Sequence, residues 1–147
     1  MRAVVQRVRR AEVRVKGRVI GRIGPGLLVL VGIAKEDRPE AGKALAEKIV
    51  RLRVFDDPQG RMNLDVREAG GAVLAVSEFT LYGDCRKGRR PSYAGAASPD
   101  DALPLYDAFV DSLQALGVKV ETGEFRAMMD VELVNDGPVT LLLDSAF

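Results

Sequence analysis

The chain has no histidine, no tryptophan and only one cysteine among its 147 residues. Each absence removes chemistry. Without imidazole there is no Ser-His-Asp or Cys-His nucleophile, no histidine general base and no histidine zinc site. A lone Cys85 cannot form an internal disulfide, and it fits a reducing cytosol. With no base to pair with it, Cys85 is a weak candidate for catalysis. Long apolar runs are missing too; a stretch such as Leu27–Val31 is far too short to span a membrane. Met1–Val5 leads straight into an alternating pattern, without the apolar core or cleavage site of a signal peptide. A cytoplasmic location is expected. No acidic cluster has the spacing of an EF-hand or zinc site, so neither a metal nor a cofactor is expected. Chemistry is left to carboxylates, hydroxyls, lysine, backbone groups or the substrate itself.

What is present reads as one globular domain over residues 1–147. Hydrophobic residues make up 47% and charged residues 29%, enough for a real core. The net charge is +1, unevenly spread. Residues 1–22 carry eight Arg or Lys against Glu12 alone, and residues 98–147 carry two basic against ten acidic residues. A dense basic cluster, Arg86-Lys87-Gly88-Arg89-Arg90, lies between them. Solvated faces are the ordinary reading; a phosphate-binding patch is the functional one. Near neutrality argues against a non-specific DNA binder, but not against a protein that touches one short RNA end.

Residues 2–8 and 10–16 alternate as half-buried strand, and Lys16-Gly17 turns the chain into a strand over Arg18–Ile23. Leu27–Ile33 reads as a central buried strand. Pro39 opens a helix running to about Arg53. Ala72–Val76 is a second buried strand, running on into Ser77–Leu81, and a polar loop follows from Tyr82 to Ala97. Ser98-Pro99-Asp100-Asp101 is a helix start, and Gly117 is its end. Val118–Thr122, Met128–Val134 and Val139–Leu143 complete the strands. The class is α+β: mainly antiparallel sheet, closed or nearly closed into a barrel-like core, with two main helices outside.

Asn135-Asp136-Gly137-Pro138-Val139-Thr140 separates two of these apolar runs. The default is a hairpin turn. The alternative is a rigid tip that offers two neighbouring carbonyl oxygens to a ligand. Gly137 adds backbone freedom, and an X-Pro bond reaches the cis form for roughly 0.5–1 kcal/mol. Ser77 and Thr80 are hydroxyls where a buried strand gives way to a loop, a common place for sites and an equally common way to end a strand. Thr80 has no evident base and makes a poor nucleophile; backbone N–H groups there could form an oxyanion hole. Phe79, Phe125 and Met129 are core by default, or walls for an adenine ring or side chain. Glu78 alternates away from Ser77 and Phe79, towards solvent.

Taken together, Ser77-Glu78-Phe79-Thr80-Leu81 and Asn135–Thr140 resemble the two signature motifs of the D-aminoacyl-tRNA deacylases, also called D-tyrosyl-tRNA deacylases. Gln6-Arg7-Val8, Gly26–Leu30, Met62-Asn63-Leu64, Arg90-Pro91-Ser92, Ala97–Asp100 and Thr122–Phe125 are similar to that family too. The likeness covers essentially the whole chain in order. It implies a homodimer that hydrolyses the ester between a D-amino acid and the terminal ribose of tRNA, with glycyl-tRNA as a further substrate. It implies a cis Gly137-Pro138 bond, inserted into the partner's active site to hold the α-amino group and exclude an L side chain. Ser77, Phe79 and Thr80 would line the opposite wall, with N–H groups near Phe79 and Thr80 facing the ester carbonyl. Phe125 and Met129 would bound the adenosine and amino-acid region. The family mechanism is RNA-assisted, through the terminal 2′-OH, and uses no metal. A chain without histidine suits it. On this reading Arg86, Lys87, Arg89 and Arg90 meet tRNA, and no membrane or DNA partner is expected.

One residue departs from the pattern. The first motif usually carries Gln where this chain has Glu78. An ionised carboxylate only accepts hydrogen bonds, so Glu78 either adds negative charge near an RNA end or is compensated by a neighbouring Arg; the second is expected. The alternatives to an esterase are a catalytically weak tRNA-binding module on the same fold and a small-molecule hydrolase.

Overall fold

The computed structural model describes residues 1–146. Among these residues are eight strands: β1 (Arg2–Val15), β2 (Arg18–Ile23), β3 (Gly26–Gly32), β4 (Phe55–Asp56), β5 (Met62–Leu64), β6 (Ala72–Ser77), β7 (Lys119–Thr122) and β8 (Asp130–Asp144). Two helices join them, α1 (Pro39–Arg51) and α2 (Pro99–Ala115), with a 3-10 turn over Phe79–Tyr82.

β1 organises the sheet. Its first half pairs antiparallel with β3, from Arg2↔Gly32 to Val8↔Gly26, and its second half with β2, from Ala11↔Ile23 to Val15↔Arg18. Lys16 and Gly17 take φ of 51° and 78°, the paired left-handed conformation of a two-residue hairpin turn. The sheet order is β2-β1-β3-β6-β7, and β8 pairs with the other edge of β1. The sheet curls until its end strands nearly meet: a Cβ on Gly21 of β2 would stand 2.4 Å from the Thr122 carbonyl oxygen of β7. Glycine is what permits that approach.

The expected barrel-like α+β core with two outer helices is present, but the sheet is mixed. β3–β6 and β6–β7 are parallel. Each pair is joined by a crossover that contains a helix, which returns the chain to the same end of the sheet. Both faces of β3 and β6 are therefore covered. Leu27, Val29, Val31, Val73 and Ala75 pack with Leu45, Ile49, Phe109 and Leu113 of the helices, while Leu28, Leu74 and Val76 pack inside the curled sheet with Val8, Val13 and Ile23. That explains why both strands read as unbroken apolar runs.

Three local expectations change. α1 ends at Arg51, and Leu52 is already extended (φ −60°, ψ 124°). The strand through Ser77 does not continue to Leu81; it breaks into the 3-10 turn. Most important, Asn135–Thr140 is no hairpin. β8 runs along β1 from Arg14↔Asp130 to Arg2↔Asp144 without reversing. Between Val8↔Asn135 and Gln6↔Thr140, β1 advances two residues and β8 five. Residues 136–139 therefore bulge out of a continuous strand.

Candidate active site

β6 delivers Ser77 to the rim of a cavity of about 750 Å³. The Glu78 N–H donates to the Val31 carbonyl at 2.8 Å, which holds the strand end to β3 before the chain turns. The Gly83 N–H closes the turn on the Thr80 carbonyl at 2.9 Å. Phe79 and Thr80 open this turn, so their N–H groups have no acceptor within it. Phe79 is 56% exposed and meets Tyr93 edge-on, with ring centroids 5.1 Å apart. Thr80 Oγ1 donates to Glu78 Oε1 at 2.9 Å.

The facing wall comes from the loop between β7 and β8. Phe125 packs against Tyr106 of α2 at 5.9 Å, and the Met129 sulfur fills the space beside Gly123. The Tyr106 hydroxyl donates to the Ala75 carbonyl at 2.9 Å, tying α2 to β6 two residues before Ser77. Burial pushes the Tyr106 phenol pKa well up, so this donor stays protonated.

Six predicted residues thus share one cavity: Ser77, Glu78, Phe79, Thr80, Phe125 and Met129. Glu78 corrects the sequence reading twice. It faces the cavity rather than solvent, because the chain turns at Phe79 instead of alternating onward. Its partner is the Thr80 hydroxyl, and among the described residues no arginine pairs with it. Sequence reasoning gave no site role to Gln6, Tyr93 or Arg126, which also line the cavity. The Gln6-Arg7-Val8 likeness was the available signal for the first.

Gly137 and Pro138 do not line this cavity. Their peptide bond is cis, and Gly137 has φ +126°. The bulge is braced on every side. Asn135 Nδ2 donates to Gln6 Oε1 (2.6 Å) and Thr140 Oγ1 (3.2 Å), and its Oδ1 accepts from the Val139 N–H (3.2 Å). The Arg7 guanidinium donates to the Asp136 carbonyl (3.2 Å) and the Val54 carbonyl (2.7 Å). Asn135 and Thr140 therefore fix the base of the tip, with Gln6 and Arg7 beneath it.

The basic cluster also lies outside the cavity, on a loop that leaves it at Thr80 and returns at Tyr93. A bridge between Asp84 and Ser92 pinches that loop. Arg86 is clamped onto Asp84 at 2.7 Å, and hydrogen bonds from its side chain and N–H hold the Asp84 carboxyl down at about 2. Arg86 is thus already neutralised, whereas Lys87, Arg89 and Arg90 are exposed. Cys85 is exposed beside them. Among the described residues no cluster of His, Cys, Asp or Glu could hold a metal, and no helix is long and apolar enough to cross a membrane.

The D-Tyr-tRNA(Tyr) deacylase family model matches residues 4–144. The chain belongs to that family. It is 61% identical over 145 residues to a D-aminoacyl-tRNA deacylase of Symbiobacterium thermophilum, covering 99% of this chain and 96% of that one. It is 60% identical over 146 residues to the D-aminoacyl-tRNA deacylase of Thermus aquaticus, with 99% and 96% covered. A solved structure described as a c-Myc DNA Unwinding Element Binding Protein superposes with a TM-score of 0.94 at 39% identity, over 98% of each chain. A probable eukaryotic D-amino acid tRNA deacylase shares the fold, with a TM-score of 0.82 at 17% identity over 97% of each chain.

Proposed function

We propose that this chain hydrolyses the ester joining a D-amino acid to the terminal ribose of tRNA. The observation that carries this reading is the convergence of Ser77, Phe79, Thr80, Phe125 and Met129 on one cavity. Its volume, about 750 Å³, suits an aminoacylated nucleoside, within the roughly 300–1,000 Å³ usual for small-molecule sites. The unpaired N–H groups of Phe79 and Thr80 polarise the ester carbonyl and stabilise the oxyanion. Phe125 and Met129 bound the adenosine and the amino-acid side chain. Thr80 is assigned to the cavity wall rather than to attack: its hydroxyl donates to Glu78 Oε1 at 2.9 Å, and the chain has no histidine to relay its proton. The terminal 2′-OH of the substrate assists the attacking water.

In this reading the molecule is a homodimer. Each Gly137-Pro138 tip projects from β8 into the partner's cavity, where its carbonyls receive the α-ammonium and its bulk excludes an L side chain. Glycyl-tRNA has no side chain to exclude and is a second substrate. Lys87, Arg89 and Arg90 meet the acceptor-stem phosphates, and Arg86, held by Asp84, serves the loop's shape. The site of action is the cytoplasm.

The test uses purified protein with matched D- and L-tyrosyl-tRNA. Rapid loss of the D ester with the L ester spared is expected. Equal rates on both esters overturn the chiral reading. Tight tRNA binding with neither ester cleaved identifies a binding module instead.

A further inference from the structure

The wall of the cavity is largely apolar. Among the described residues only two charged side chains line it, Glu78 and Arg126. Glu78 is engaged by Thr80. Among the described residues Arg126 holds no carboxylate within 4 Å; several other arginines, Arg89 and Arg90 among them, also hold none, but of these Arg126 alone lines the cavity.

Its backbone is also unusual. The Ala127 N–H donates to the Glu124 carbonyl at 3.2 Å, closing a four-residue turn, and Arg126 sits at its third position with φ +68°. That position favours glycine. A long cation there opposes the local conformational preference, and such conflicts concentrate at functional sites. Arg126 follows Phe125, which packs against Tyr106 in the cavity wall, and it is exposed as well as lining, so it stands at the mouth. A nucleoside seated inside must pass its 5′ substituent out through that mouth. In RNA that substituent is a phosphodiester, and a guanidinium matches phosphate oxygens in bidentate geometry.

We propose that Arg126 binds the last phosphodiester of the RNA 3′ end, setting how deeply the terminal nucleoside sits. This rests on the deacylase reading for the nucleoside's place. Arg126 is a substrate-binding residue, separate from the exposed basic loop.

The experiment compares the full-length protein with Arg126→Gly, which suits φ +68° and keeps the fold. The probes are a 5′-labelled CCA trinucleotide and free adenosine. CCA affinity is expected to fall about five- to tenfold, with the slope of log K against log salt shallower by about 0.7. Adenosine affinity is expected to stay within twofold. On D-tyrosyl-tRNA, KM is expected to rise with kcat within twofold. Unchanged CCA affinity overturns the proposal, as does an equal loss for CCA and adenosine, or no CCA binding by the parent at millimolar concentration. If the parent cleaves the D ester while the variant binds CCA normally, this inference alone fails. If the parent binds CCA through Arg126 and cleaves nothing, the deacylase reading alone fails.

Discussion

At Gly137 one hydrogen atom decides whether the bulge can form. A Cβ there would lie 2.8 Å from Val139 Cγ2, 3.0 Å from the Val139 nitrogen and 3.3 Å from Arg7 Nη2, on a backbone with φ +126°. Gly137→Ala is expected to destabilise the protein by about 1–3 kcal/mol. An unchanged urea midpoint at an unchanged m-value would contradict the packing described here. Glu78 poses a different question, because its charge can be removed while its acceptor is kept. In Glu78→Gln the amide oxygen still accepts from Thr80 Oγ1. What disappears is a negative charge in the cavity that would receive the RNA end, worth about 0.5–1 kcal/mol in a partly solvated setting. KM for D-tyrosyl-tRNA is expected to fall two- to fivefold, with kcat within threefold. A rise in KM above threefold would mean that the carboxylate instead binds the substrate's ammonium.

Among the elements, β6 carries the site, and the turn that feeds it is held by Asp65. Asp65 Oδ1 accepts from the N–H groups of Arg67 (2.8 Å) and Glu68 (2.9 Å), and Glu68 Oε1 accepts in return from the Asp65 N–H (2.9 Å). This reciprocal cap stands before Gly70-Gly71 and the start of β6. Burial pulls the Asp65 carboxyl pKa upward; the Arg67 side chain and the two N–H donors outweigh it, and the net shift is below the ordinary 3.8. A depressed folded-state value stabilises the fold above about pH 4 and loses that contribution as pH falls through it. Asp65→Asn keeps an acceptor and loses the charge. It is expected to be less stable than the parent by about 0.5–1.5 kcal/mol at pH 7, with the gap narrowing as pH falls below the ordinary 3.8. A gap in urea titrations that does not narrow at all below that pH would assign the loss to geometry rather than charge. The same elements show what the sequence could disclose. Strand alternation in β1, the Ser98 cap of α2 and the Ser77–Thr80 motif were legible because each is local. The parallel pairing of β3, β6 and β7 was not, because apolar runs carry no direction. The bulge at 136–139 looked like a hairpin because Asp, Gly and Pro favour turns in either setting. Only the pairing of both halves with one strand, β1, separates the two. Arg126 went unread because nothing local says that its loop folds back over the cavity.

For the whole molecule, the decisive question is whether a partner subunit supplies the tip. Gly137 and Pro138 belong to a bulge that does not line their own chain's cavity, although Gln6 touches both. In a two-fold dimer with exchanged tips, each site combines the wall of one subunit with the tip of the other. Two differently damaged chains can then repair each other. Gly137→Ala damages the tip, and Thr80→Tyr fills the wall without touching the tip. Alone, each homodimer has two defective sites. In a mixed dimer the geometry sorts the defects: one site receives both, and the other pairs an intact wall with an intact tip. Equal amounts of the two chains, unfolded and refolded together, yield about half mixed dimers with one good site of two. Activity on D-tyrosyl-tRNA is therefore expected to return to about a quarter of the parent's, from near zero for either variant refolded alone. Parallel mass measurements count the dimers formed. If mixed dimers form and no activity returns, each site is built within one chain, and the tip belongs to a different task from the one assigned to it.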